Sequence, residues 1–199
     1  MNKLYFGDNL DVLRTYVPDG SVDLIYLDPP FNSQARYNVL FQSPEDEHAS
    51  AQAEAFRDTW VWGEESEWAL REIMKIGGDT ARIIEALHSA LRSSDMMAYL
   101  VMMAVRIHEL RLKLKQTGTL YLHCDPTASH YLKIILDSIF GPINFRSEVI
   151  WRRSAAHNKL SKQYGPGAVA DVVEIWMTLS PTFSGYRVMR QRQAFADPS

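Results

Sequence analysis

Cysteine is almost missing from this chain: Cys124 is the single example in 199 residues. A lone thiol closes no internal disulfide and cannot by itself build a zinc site, so a disulfide scaffold is excluded and a structural metal centre is disfavoured at the outset. Long apolar runs are missing too. No stretch approaches the roughly eighteen residues that a membrane-spanning helix requires. The opening MNKLYFGDNL has neither the basic start nor the apolar core of an export signal. These absences lead us to expect a cytoplasmic protein with no membrane partner and no metal. What remains is an ordinary globular composition, 46% hydrophobic and 23% charged, able to bury one sizeable core.

Neither sign of charge dominates, and the formal net charge is only -3. Its distribution is uneven. Residues 146–192 carry Arg146, Arg152, Arg153, Lys159, Lys162, Arg187, Arg190 and Arg192 against Glu148, Asp171 and Glu174. This segment is therefore a basic stretch in an otherwise acidic chain, suited to a phosphate backbone. Arginines and lysines also populate plain solvated surfaces, and charge alone does not separate the two readings.

Along the chain, Asn9–Tyr16 reads as a short helix, and a turn at Pro18-Asp19-Gly20-Ser21 leads into the apolar run Val22, Leu24, Ile25, Tyr26, Leu27. Short, nearly continuous in hydrophobicity and stopped by two prolines, the run predicts a central parallel strand covered on both faces. Residues 32–80 show no clean period and read as a long loop with short helices. Helices are predicted over 80–92 and, behind an Asp95 cap, over 95–115; the apolar block within the latter is too short for a membrane span. Thr119–His123 reads as a second strand, 127–140 as a helix closed by Gly141-Pro142, and 145–151 and 172–178 as two further strands. Strands alternating with helices in this way predict an open α/β sheet whose ligands gather at the carboxyl ends of its strands.

Polar groups stand at both of those predicted strand ends: Asp28 after the first, His123-Cys124-Asp125 after the second. Asp28-Pro29-Pro30-Phe31 suits one chemistry in particular. An exocyclic amine on a nucleobase is a poor nucleophile because its lone pair is delocalised into the ring. The carboxylate of Asp28 and the carbonyl of Pro29 can each accept one amino hydrogen, localising that lone pair on a tetrahedral nitrogen. The prolines fix φ and bring no competing N–H. Phe31 can stack on a base extruded from a duplex. Read without its context, the tetrapeptide is also a plain strand-ending turn.

The resemblance reaches well beyond four residues. Gly7-Asp-Asn-Leu-Asp-Val-Leu13, the turn and strand from Pro18 to Leu27, Asp28-Pro-Pro-Phe-Asn32, Met96–Ala104, Thr117–Pro126, Ser129–Lys133, Phe140-Gly141 and Glu148–Trp151 occur in an order that resembles the bacterial and phage DNA methyltransferases of the amino (N4/N6) family. The resemblance covers most of residues 1–180. It implies an α/β fold with a Rossmann-like methyltransferase sheet, incomplete here, with helices on both faces. It also implies S-adenosylmethionine as methyl donor and DNA as partner. Asp28, Pro29, Pro30 and Phe31 become the catalytic segment, and Asp8 and Asp28 candidate donor-binding residues. Asp8 serves equally well as the N-cap of the helix that follows it.

In the arrangement this sequence resembles, a Phe-x-Gly-x-Gly loop cradles the donor near the C-terminus. Gly165-Pro166-Gly167 is the late glycine-spaced candidate and lacks the preceding aromatic, so residues 1–199 are expected to form part of a methylase catalytic domain, completed by a second chain or a missing half. The absence of Gly-x-Gly-x-x-Gly after the first strand argues against a generic dinucleotide fold. For the substrate we single out Phe31, Asn32, Trp60, His123, Arg152, Arg153, Lys159 and Lys162. Trp60 and Trp62 can equally pack in the interior. His123 can equally be a strand-end histidine with its needs met locally. A His123–Cys124 thiol centre is disfavoured because adjacent strand residues point to opposite faces, and His108 and Glu109 are expected on an exposed helix face. The expected activity is methyl transfer to adenine N6 in DNA; cytosine N4, or an inactive or split DNA-binding remnant, is the alternative.

Overall fold

The computed structural model describes residues 2–30, 60–154 and 172–180. Helix α1 spans Asn9–Tyr16 and is capped by Asp8, whose side chain accepts from the Leu10 N–H. Strand β1, Val22–Leu27, follows the turn. Helix α2, Glu64–Ile76, then lies where a long loop with short helices was expected, and α3, Gly78–Leu91, stands where a helix was predicted over 80–92. Three glutamates occupy the first turn of α2, where negative charge meets the positive end of the helix dipole. Its inward stripe is small, with Ser66, Ala69 and Ile73 buried. Gly77 ends α2 with φ of 75°, a left-handed conformation that glycine adopts without strain.

Helix α4, Asp95–Lys113, is the centre of the fold, buried around most of its circumference. Its cap is Ser94 rather than the expected Asp95: the Ser94 hydroxyl oxygen accepts from the Met97 N–H at 3.2 Å, and Asp95 takes a first-turn position. Glu109, expected on an exposed face, is buried. It bridges Arg14 of α1 and Lys113 at 3.1 Å each, while His108 beside it is half-buried. Strand β2, Leu114–Cys124, leads into α5, Pro126–Phe140, which Asp125 caps by accepting from the Ala128 N–H. A short 3-10 turn, Pro142–Asn144, precedes β3, Phe145–Ser154, and β4, Val172–Leu179, completes the described elements.

The four strands run in the order β1-β2-β4-β3, with β1 parallel to β2 and β4 antiparallel to both neighbours. One sheet face presents Ile25, Leu120, Leu122, Cys124, Ile175, Met177 and Leu179 to the helices, and all of them are buried. The opposite face carries Leu24, Tyr26, Tyr121, Val149 and Trp151, all exposed among the described residues. Among the described residues β1 is thus an edge strand covered on one face, where the sequence predicts a central strand covered on two. A continuous apolar run reports burial potential and is silent about how many layers fulfil it. No described helix is long and apolar enough to cross a membrane.

Candidate functional site

The pairing of β1 with β2 sets the site. Leu27 is level with Leu122 across the parallel ladder, so the next residue of each strand, Asp28 and His123, stands at the same height at the carboxyl edge. Alternation along a strand turns both away from the face that carries Leu122. Their side chains meet: His123 Nδ1 lies 2.8 Å from Asp28 Oδ1. The imidazole is 9% exposed and the carboxylate 56%, so the ring is the anchored partner and the acid reaches outward. Pro29 and Pro30 continue from Asp28, half-buried. Phe31 and Asn32 lie outside the described residues, as do Lys159 and Lys162.

Cys124 points the other way, into the core, with no exposed surface. Burial pushes its thiol up to about 12, and the negative charges of Asp125 and Glu148 add to the rise. A thiol so held is protonated at neutral pH and is neither nucleophile nor metal ligand. Among the described residues no three His, Cys, Asp or Glu side chains gather as metal ligands would.

The remaining candidates divide. Trp60 packs edge-on to Tyr99 of α4, ring centroids 5.3 Å apart, and Trp62 stacks on His88 of α3 at 5.0 Å. The Trp60 indole N–H and the Tyr99 hydroxyl are both buried without a hydrogen-bond partner among the described residues. Burial raises the Tyr99 hydroxyl above its ordinary range, with Cys124 and Asp125 contributing, so it stays a neutral phenol. Asp8 serves as the cap that the sequence allowed, and its second oxygen accepts from Arg106 Nη2 at 2.7 Å. Arg106 also donates through Nε to Asn9 Oδ1 at 2.9 Å. No local signal pointed to Arg106, which lies 98 positions from Asp8. Of the basic segment, Arg146 donates to the carbonyls of Ile143 and Ser180. Arg152 and Arg153 belong to β3.

A carboxylate at a parallel strand end, two prolines behind it and a histidine on the adjoining strand now form one constellation. The family model described as DNA methylase matches residues 22–177, which include all of it. The chain belongs to the N6/N4 DNA methylase family. Two of its curated relatives are Mod subunits. The Mod subunit of the type III restriction-modification enzyme StyLTI from Salmonella typhimurium is 29% identical over 154 residues, covering 76% of this chain and 20% of that protein. The EcoP15I Mod subunit from Escherichia coli is 24% identical over 158 residues, covering 76% and 21%. The chain thus spans about a fifth of the length of either relative. Among solved structures it is similar to the PvuII DNA methyltransferase (cytosine-N4-specific), with 14% identity, a TM-score of 0.49, and coverage of 89% of this chain and 48% of that one.

Proposed function

We propose that these residues form the methyl-acceptor part of a DNA methyltransferase that modifies the N6 amine of adenine and serves a restriction-modification system, as the Mod subunits it is similar to are named. The observation that carries this reading is the half-exposed carboxylate of Asp28 at the end of β1, followed by a Pro-Pro pair, in a DNA methylase chain. Asp28 and the Pro29 carbonyl would accept the two amino hydrogens of the extruded base and draw its lone pair out of conjugation. Asp28 would then take the proton that the nitrogen sheds on methylation. Phe31 and Asn32 would hold the base, and Arg152, Arg153, Lys159 and Lys162 the phosphates.

S-adenosylmethionine, when bound, supplies an electrophilic methyl group carried on a cationic sulfur. The described residues fit that charge on one side, where Asp28 offers a carboxylate to solvent. Asp8 fits less directly, since one oxygen is engaged by Leu10 and the other by Arg106. The rest of the donor's cradle would come from a segment outside these 199 residues, in the same polypeptide or a second chain, carrying the Phe-x-Gly-x-Gly loop. The exposed sheet face beside β1 and the fifth of the relatives' length that is matched support that division.

The test is transfer of a labelled methyl group to DNA followed by nucleoside analysis. Label in N6-methyladenine, lost with Asp28→Ala while the melting temperature holds, is the expected result; an undiminished rate in that variant removes Asp28 from the mechanism. Label in cytosine alone overturns adenine as the target. Calorimetric titration of residues 1–199 with the donor addresses the division into parts: weak or no binding, restored by the completing segment, is expected.

A further inference from the structure

We infer that His123 is the positioning residue for Asp28: its ring holds one carboxylate oxygen so that the other is presented to the amine. The inference rests on the reading of Asp28 as the acceptor group and goes beyond it, because nothing in the Asp-Pro-Pro-Phe segment supplies this partner. An aspartate more than half exposed has several staggered side-chain rotamers open to it, and an acceptor aimed at one amino hydrogen needs a single one. The 2.8 Å contact with His123 Nδ1 selects it.

Three features make the ring fit this task rather than proton shuttling or base contact. It is nearly buried, 9% exposed, so its orientation is set by packing. It stands on β2 directly after Leu122, and Thr119–Leu122 pair in register with Leu24–Leu27 of β1, so the distance between the two Cα positions is held by the sheet. And a carboxylate has lone pairs on both oxygens, so engaging Oδ1 leaves Oδ2 able to accept. The arrangement requires the proton on Nδ1, because an ionised carboxylate only accepts. A histidine whose tautomer is chosen by a neighbouring carboxylate is a recurrent means of orienting a reactive group. Here the roles are reversed, and the histidine does the orienting.

Two substitutions and one spectrum decide it. In the complete methyltransferase, with the donor-binding segment present, His123→Leu removes the donor at this point. It is expected to lower kcat by about a hundredfold with little change in KM for DNA, the scale of loss that a misplaced reacting group produces. His123→Asn, whose amide N–H can take the place of Nδ1–H, is expected to stay within about tenfold of wild type, since geometry and donor are retained. An unchanged kcat in His123→Leu, in protein that melts as wild type does, overturns the inference. So does an Asn variant no better than Leu, which reduces His123 to a packing residue.

In residues 1–199, nitrogen-15 spectra of the His123 ring should show the Nδ1-protonated tautomer at neutral pH and lose that preference in Asp28→Ala. The same tautomer in both proteins overturns the pairing, whatever the activity. Failure of the Asp28 reading looks different: Asp28→Ala then transfers at the wild-type rate while the tautomer still responds to it.

Discussion

The thiol of Cys124 and the imidazole of His123 are adjacent in sequence and share no chemistry. β2 turns one into the core and the other to the opposite face, and the consequence is measurable at the level of a single side chain. With its thiol pushed up to about 12 and no exposed surface, Cys124 should resist alkylation by iodoacetamide in the folded protein at neutral pH. It should label promptly once denaturant is added, with intact mass as the readout. Rapid labelling of the native state would contradict both the burial and the direction of the shift. The opposite facing of the two residues was legible in the sequence, because strand alternation is a property of the backbone. The pairing of His123 with Asp28 was not. The residues lie 95 positions apart, and their meeting depends on the register of β1 against β2, which no local pattern specifies.

That register is an affair of elements. Val22 pairs with Leu114 and the next paired residue, Leu24, with Thr119, so β2 carries extra residues opposite the start of β1. Gly118 sits in this irregular stretch, where a Cβ would stand 2.6 and 2.7 Å from Leu114 Cδ1 and Cγ and 3.0 Å from the Val22 carbonyl oxygen. Leu114 is itself buried and has little room to retreat. Gly118→Ala is therefore expected to destabilise the fold by about 1–3 kcal/mol, the range for overpacking a core, and to disturb the spacing of β1 and β2 that sets the Asp28–His123 contact. Denaturant unfolding measures the first effect, and the His123 tautomer spectrum the second; a variant as stable as wild type would show that the backbone here yields freely. Other elements were open to reading. The strands, and the helices with strong caps and apolar stripes, stand within a few residues of their expected positions. Helix α2 was not singled out within the polar stretch read as a loop with short helices, although Ala69 and Ile73 are buried and Trp68 and Leu70 pack against the core.

At the scale of the whole molecule, one sheet face is packed and the other open among the described residues, so stability rests on how the helical layer is tied to the strands. A charged network does part of this. Lys113, 7% exposed, contacts Asp19 at 2.6 Å and Glu109 at 3.1 Å, and Glu109 reaches Arg14, joining α1, α4 and the turn into β1. Neighbouring backbone bonds run the same way, from Gly20 and Ser21 N–H to the Leu112 and Lys113 carbonyls. The hydrogen bond to Asp19 raises the Lys113 ammonium above its ordinary range; burial opposes the rise and Glu109 reinforces it.

The sign of the pH dependence follows. A group held more basic in the folded state binds its proton more tightly there than in the unfolded chain. Its contribution is therefore fully present below the unfolded value of about 10.4 and is lost as pH rises through the higher folded value. Urea unfolding of wild type and Lys113→Met, followed from neutral pH to beyond pH 10, should show the wild type losing stability more steeply at the alkaline end. Lys113→Met removes one partner of a buried acid, so it should start from a lower stability, with the two curves converging as Lys113 deprotonates. Parallel curves would mean that the ammonium gains nothing from Asp19 and Glu109 on folding, and that the backbone bonds of Gly20 and Ser21 and the apolar contacts of α4 tie the layer to the sheet without it.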